Sequence, residues 1–453
     1  MNSWQRLRIL GYMSSAPLIY FGVPAAGALI ALLFLFFSIR AGRKRRLVEN
    51  LPTSKTAGVF IGLVEVKGTA EVEQPLVSYL AEHKCVYYSW NVDEHWSRTV
   101  TETYTDSDGK TKTRTRTESG WTTVASGTDQ KSFYVKDDMG IVLVQPEKAK
   151  IEAKTIVDRS CGIIDPMYYG KGPALAVADS TFVRRFVERA ISMHAPLYVV
   201  GPARERKDVV APEIAFNKDA EMFLISTRTE DQIRRGLGWK YWLLLIFGLI
   251  FAVGGMVLRD VLIKQNPRLE IAIYMLAAAA YLAAWLLGWI VMVYNSLVSI
   301  RGRVKQGWSN VDVQLKRRSD LIPRLIDVVK GMRDYEKSVQ TQLGELRSQS
   351  TATSSSDDGS EPKSVSPVIS AIVERYPELS SNTLFVNLQK ELIETEQRIA
   401  LARAYFNEIA TFYNTRLERV PDRFIANLGG MRPQTLMAAE DFARAPVKVN
   451  FAP

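Results

Sequence analysis

Five side chains carry the thiol and imidazole chemistry of this 453-residue chain: Cys85, Cys161, His83, His95 and His194. His83 and Cys85 stand two apart, so on a strand they face the same way, and His95 with Cys161 would complete a four-ligand set able to hold zinc. No CxxC or HxxxH spacing accompanies them. Buried, reduced thiols are therefore the ordinary expectation, with a Cys85 to Cys161 disulfide as the alternative in an oxidising compartment. A Gly-rich phosphate loop, GxSxG and HExxH are also missing from the sequence. No catalytic residue, metal ligand or cofactor is expected, and the chain reads as a non-enzyme. The competing reading keeps a catalytic or conjugation-related activity in residues 50–235.

Whatever these residues do, they are held beside a membrane. Three uncharged apolar runs, 16–39, 241–258 and 271–293, are each near the roughly 20 residues that a transmembrane helix needs. A cleaved signal peptide is the rival reading of the first run. Its apolar stretch exceeds an h-region of about 7 to 15 residues, and a basic cluster follows it where small cleavage-site residues would stand. The cluster is Arg40, Arg43, Lys44, Arg45 and Arg46. These five are the candidate membrane-headgroup contacts, either as a topology signal or as a patch for acidic lipids. Three crossings put 40–240 and 294–453 on one side, and the excess of Lys and Arg at those flanks makes that side cytoplasmic. The net charge of +10 sits at the membrane ends and lacks an aromatic-interleaved recognition module, so no nucleic-acid partner is expected. Few polar residues interrupt the spans, which places a pore or transporter last. GlyGly at 254–255 and four alanines at 277–280 suit helix packing instead.

Residues 50–235 alternate short apolar and polar segments, which predicts strands near 59–72, 86–92, 131–134, 140–144, 150–156, 197–200 and 221–226. Asp108 and Gly109 suit a tight turn between threonine-rich arms 98–104 and 112–117. Those arms are polar on both faces, so the hairpin should project into water or onto a partner. Phe182, Val183, Phe186, Val187 and Ile191 fall at helical spacing and predict a helix over 181–191.

Beyond residue 294 a three-four repeat runs through Trp308, Val311, Leu315, Ile322, Leu325 and Val329, and another from Phe385 through Leu388, Leu392, Ile399, Ala402, Phe406 and Ile409 to Tyr413. These stripes predict an elongated, all-α antiparallel bundle. Arg318 occupies a core slot of the first stripe. Snorkelling to solvent is the default, and a buried pair with Glu391, Glu394 or Glu396 is the alternative. Pro323 should kink the helix, or start a new one capped by Ser319 or Asp320. Residues 348–364, rich in serine and nearly free of apolar side chains, read as a mobile linker.

Two resemblances cover most of the chain. TSK (53–55), CVYY (85–88), KSFYV (131–135), LYVVGPARE (197–205) and FLIST (223–227) resemble the GIDE, or beside-a-membrane, domain, which implies a β-rich α+β domain implicated in substrate recognition in ubiquitin ligases. The ligase chemistry does not carry over, because a RING finger needs eight Cys or His ligands and this chain has two cysteines and three histidines. YN (294–295), WSNVDVQLKRRSDLIP (308–323), RYPEL (375–379), ETEQRIALAR (394–403), FYNTR (412–416) and APVKVNF (445–451) resemble the LemA family. That resemblance implies a membrane-tethered antiparallel bundle without established enzymatic activity. It also implies a single N-terminal span with the bundle outside the cytoplasm, where the charge bias places it inside.

The combined expectation is a multi-domain membrane protein with three transmembrane helices, a GIDE-like β-rich domain at 50–235 and a LemA-like bundle at 294–453. It is a scaffold or adaptor in a bacterial cytoplasmic (inner) membrane, whose partners are membrane lipids, other proteins and copies of itself.

Overall fold

The computed structural model describes residues 18–105, 111–206, 211–263, 271–330 and 383–437. Turn residues 107–109, the serine-rich 348–364, RYPEL and APVKVNF lie outside them. The chain forms two compact units: 1–52 together with 230–453, and 53–229.

In the first unit, α1 (Val23–Glu49) continues a single π turn (Leu18–Gly22). The second unit, 53–229, contains β1 (Thr53–Ser54), β2 (Gly62–Glu71), β3 (Leu76–Val77), β4 (Lys84–Thr105), β5 (Thr111–Gln130), β6 (Phe133–Lys136) and β7 (Ile141–Val144). Then come β8 (Lys150–Glu152), β9 (Lys154–Gly162), the one-turn α2 (Pro166–Gly170), β10 (Ser180–Ser192), β11 (Pro196–Glu205), β12 (Pro212–Ile214) and β13 (Leu224–Ser226). Pairing returns on itself through β2, β6, β7, β12, β11 and back to β2, a closed ring without free edges of its own. Its interior is built from alternating β-branched and aromatic positions, Val64, Val66, Phe133, Val135, Val142 and Val199. A second sheet is ordered β3-β4-β10-β9, with β5 also paired to β4.

The helix predicted over 181–191 is instead the central strand β10, paired with β4 on one side and β9 on the other. One face of this strand is Arg184, Phe186, Glu188 and Ala190, all buried. Two of those four positions are charged, so the alternation that marks a strand was hidden, and the remaining apolar residues mimicked a helical spacing. The unit's only described α-helix is therefore α2.

β4 and β5 form an antiparallel ribbon in register from Tyr87 opposite Gln130 out to Thr105 opposite Thr111. β10 accompanies β4 only as far as Trp96. Residues 101–105 and 111–117 are exposed throughout, so the outer ribbon has two wet faces.

The first unit resumes with α3 (Glu230–Ile263), α4 (Ile271–Lys330), α5 (Thr383–Glu418) and α6 (Asp422–Leu428). α1, α3 and α4 are long and apolar enough to cross a membrane, and each runs past the apolar stretch the sequence marks. Between them are buried Ala31, Leu35, Leu245 and Tyr281. Leu29, Leu33, Phe36, Ile246, Ile250 and Leu287 face outward and are exposed. A belt of that kind, on helices whose backbone groups are satisfied internally, suits lipid and not water. α1 and α3 cross where Gly27 and Gly255 touch: a Cβ added to Gly27 would lie 2.9 Å from the Gly255 Cα.

α4 extends about 90 Å at 1.5 Å per residue, so its outer part stands clear of a bilayer about 30 Å thick. Gly307 of α4 lies beside Phe406 of α5, and Arg318 beside Glu396. Rising numbers on one helix meet falling numbers on the other, so the pair is antiparallel. The helix passes through Pro323 without ending, contrary to a restart capped by Ser319 or Asp320. The stripe expected on α5 is its buried face, with Leu388 half-buried. On α4 the buried face sits slightly to one side of the expected stripe, at Val304, Val311, Gln314, Arg318, Ile322 and Leu325. Trp308 is 46% exposed and meets Phe406 only edge-on.

Candidate functional site

The thiols and imidazoles do not converge. Cys85 and Cys161 are both free and buried, so they form no disulfide. Burial, followed by the charge of Glu188, pushes the Cys85 thiol up to about 11, far from the thiolate a nucleophile needs. His83 precedes β4 and is exposed where Cys85 is not. His95 Nδ1 sits 2.9 Å from the Thr181 hydroxyl, and His194 Nδ1 sits 3.0 Å from Glu71. Among the described residues no three His, Cys, Asp or Glu side chains group to hold a metal.

Buried charge in the β unit is structural in its geometry. Glu94 and Arg184 are both fully buried and paired at 3.0 Å. Tyr168 and Ser180 donate hydroxyl hydrogen bonds to Glu94 at 2.8 and 2.6 Å. Arg184 also donates to the carbonyls of Tyr168 and Pro173 at 2.8 Å and of Leu175 at 3.0 Å. Glu188 accepts from Ser78 Oγ and from the backbone N–H groups of Leu80 and Ala81. Each buried acid is saturated with donors, which leaves it poorly suited to moving a proton.

The arrangement best suited to meeting an outside molecule is where α1 leaves the apolar layer. The five predicted headgroup contacts divide there. Arg40, Arg43 and Lys44 are exposed. Arg45 donates to Glu49 at 3.0 Å, and Arg46 turns inward to Asp422, 3.6 Å away. Asp422 also accepts from Arg416 Nε at 2.6 Å. Arg416, itself buried, donates to Asn50 at 3.0 Å, and Asn50 donates to Ser296 at 2.8 Å. The end of α1, the outer part of α4 and the α5–α6 turn are thereby clasped around a cavity of about 420 Å³. Sequence reasoning found the α1 arginines from their flank position. Arg416 and Asp422 were missed, since only the antiparallel return of α5 brings them back to residue 46.

Comparison with known families gives two matches. Residues 307–451 match the model of the LemA family, and residues 101–259 match GIDE, a family described as E3 ubiquitin ligase. The chain joins a GIDE region to a LemA region. Magnetosome protein MamQ of Magnetospirillum gryphiswaldense is 22% identical over 208 residues, covering 38% of this chain and 75% of that protein. Magnetosome protein MamQ 2 of Paramagnetospirillum magneticum is 21% identical over 191 residues, 35% of this chain and 68% of that protein. The chain has three helices long and apolar enough to cross a membrane, one region similar to GIDE and another similar to LemA.

Within the LemA region, Arg318 is 3% exposed and does not snorkel. It pairs with Glu396 at 3.0 Å. Snorkelling fails because α5 covers the side of α4 that Arg318 occupies, so its stem has no short route to water. Burial pushes the Glu396 carboxyl above the usual range against the opposing charges of Arg318 and Arg403. A raised folded value means stability present below the unfolded value of about 4.3 and lost as pH rises through the folded one. The LemA helices should therefore tighten as pH falls through the folded value toward the unfolded one, read as slower amide exchange in α4 and α5. Single Arg318→Met or Glu396→Met replacement should cost about 3 kcal/mol, while the double replacement should return to or exceed the parent stability. Denaturation of the detergent-extracted chain checks this cycle. The FYNTR motif also finds a role. Asn414 exchanges two hydrogen bonds with Gln434, and Asn407 two with Met437, clamping segment 431–437 along α5.

Proposed function

We propose that this protein is a non-enzymatic scaffold, fastened by three transmembrane helices, which gathers protein partners or further copies of itself beside the membrane. The membrane is that of a bacterial cytoplasm, and the GIDE and LemA regions share its cytoplasmic side. Crossing parity and the basic flanks support that sidedness.

The observation that carries the reading is the outer β4–β5 ribbon. Past Trp96, β4 pairs with β5 alone, and residues 101–105 and 111–117 are exposed. A two-stranded ribbon offers unpaired backbone N–H and C=O groups along both margins, a template for adding a partner's strand. Lys112, Arg114 and Arg116 line the β5 arm. Charges of that kind deter indiscriminate pairing and favour an acidic partner. The arms make few packing contacts inside the unit, so they are poorly explained by stability alone.

Shortening the ribbon by replacing 99–117 with a two-residue turn should leave thermal unfolding of the remaining protein within about 1 kcal/mol. It should abolish adducts formed by a photo-crosslinker placed nearer the base, at Trp121, in native membranes. Adducts of unchanged mass and yield after shortening would remove the ribbon from partner binding and sink the reading.

A further inference from the structure

The cavity at the end of α1 has the makings of a ligand site. Its volume of about 420 Å³ falls within the roughly 300–1,000 Å³ of small-molecule pockets. Four guanidinium groups line it, from Arg45, Arg46, Arg416 and Arg419, against the carboxylates of Glu49 and Asp422. Arg46 and Arg416 share Asp422, so one carboxylate stands between two buried or half-buried cations. Such a cluster is undercompensated, and arginine forks match phosphate oxygens in geometry as well as charge.

Depth identifies the kind of phosphate. Arg45 follows the apolar run 16–39 by six residues, Tyr241 begins the second run, and Met292 is the last residue but one of the third. The cavity therefore lies at the level of the lipid headgroups. Trp242, Trp285 and Trp289 also line it, with the Trp285 indole N–H donating to the Tyr241 hydroxyl at 2.7 Å. Indole rings at that depth are amphipathic and at home beside the glycerol and upper acyl carbons. Guanidinium groups and indoles lining one cavity fit a molecule that is a phosphate at one end and a hydrocarbon at the other.

We propose that this cavity is a binding site for one anionic phospholipid, its phosphate held by Arg45, Arg46, Arg416 and Arg419 and its glycerol and chains against Trp242, Trp285 and Trp289. The bound lipid joins the spans to the α5–α6 turn of the LemA region. The proposal needs the membrane anchor and nothing from the ribbon, so either can fail without the other.

The test uses the full-length chain purified in detergent and titrated with phosphatidylglycerol, phosphatidylcholine or inorganic phosphate, with bound lipid read by native mass spectrometry. Arg45 and Arg419 are the more exposed of the four and are not needed for the Asp422 clasp, so R45Q/R419Q should keep the parent unfolding temperature. The parent should bind one phosphatidylglycerol at least tenfold tighter than phosphatidylcholine, R45Q/R419Q should lose that preference, and millimolar inorganic phosphate should not displace the lipid. Displacement by inorganic phosphate alone would make the site a free-phosphate site and overturn the proposal. Unchanged preference in R45Q/R419Q would overturn it, as would a preference abolished by R40Q/R43Q/K44Q, which would assign the effect to diffuse surface charge.

Discussion

Replacing Arg184 by methionine is expected to unfold the second sheet of the GIDE region, at a cost of about 3–5 kcal/mol. The reason goes beyond the loss of an ion pair. Arg184 is completely buried, stacks 3.9 Å from the Tyr168 ring and satisfies three backbone carbonyls between residues 168 and 175 as well as Glu94. Methionine fills similar space but strands those carbonyls and leaves Glu94 charged and buried. Glu94→Gln keeps the shape and one acceptor, so its cost should be smaller, about 2 kcal/mol. The double variant should not recover, unlike the Arg318 and Glu396 pair, because the stranded carbonyls remain. Amide exchange across 53–229 in the full-length chain measures each cost. Recovery in the double variant would show that the pair, and not the carbonyl network, is what Arg184 serves.

The same centre fixes a pH dependence. Burial alone would raise the Glu94 carboxyl, but hydrogen bonds from Ser180, Tyr168 and Arg184, with the charge of Arg184, outweigh it and hold the group below the ordinary range. A depressed folded value means stability fully present above the unfolded value of about 4.3 and lost as pH falls through the folded value. Acid should thus loosen the GIDE region below about pH 4.3, where the tightening that Glu396 gives the LemA helices at higher pH is already complete.

Leucine at Gly255 is expected to prise α1 from α3, at about 3 kcal/mol, the upper part of the range for overpacking. The added Cβ would meet the Gly27 Cα at 3.1 Å and the Val23 carbonyl oxygen at 3.4 Å. These are backbone atoms, which cannot rotate aside as a side chain can. Close approach through small residues is what lets membrane helices gain packing and weak hydrogen bonds where no hydrophobic force separates them from lipid. The neighbouring Gly254 supplies an internal control, since nothing lies within 4 Å of a Cβ there. Gly254→Leu should change stability by no more than about 0.5 kcal/mol. Crosslinking between cysteines on α1 and α3, followed against denaturant, separates the two variants. Equal loss at both positions would mean the helices cross elsewhere.

How far the sequence revealed this architecture depended on where each signal lay. The spans were plain because unbroken apolar runs need no partner to be recognised. The stripe from Phe385 to Tyr413 was equally plain, because its period matches one helix face and no charge interrupts it. β10 was misread because its buried face includes Arg184 and Glu188, whose partners Glu94 and Ser78 are far away in sequence. Arg318 stayed open between snorkelling and a buried pair for a related reason: burial of a guanidinium is unfavourable until the facing Glu396 is known. At the interface, Arg45 and Arg46 could be found from the flank of a span. Arg416, Arg419 and Asp422 could not, since they resemble any exposed charges at a helix end until α5 returns them to the membrane. The features lost to the sequence reading are charges whose cost is offset by a long-range partner.

The proposed scaffold requires three crossings that leave the GIDE and LemA regions on one face of the membrane. Single cysteines at Thr103 in the ribbon, Thr411 on α5 and Val261 near the end of α3, all exposed, can be labelled in intact cells with a reagent that does not cross the cytoplasmic membrane, and again after lysis. Labelling of Val261→Cys from outside, with Thr103→Cys and Thr411→Cys protected until lysis, is the result predicted here. Thr103→Cys and Thr411→Cys reacting from opposite sides would contradict it.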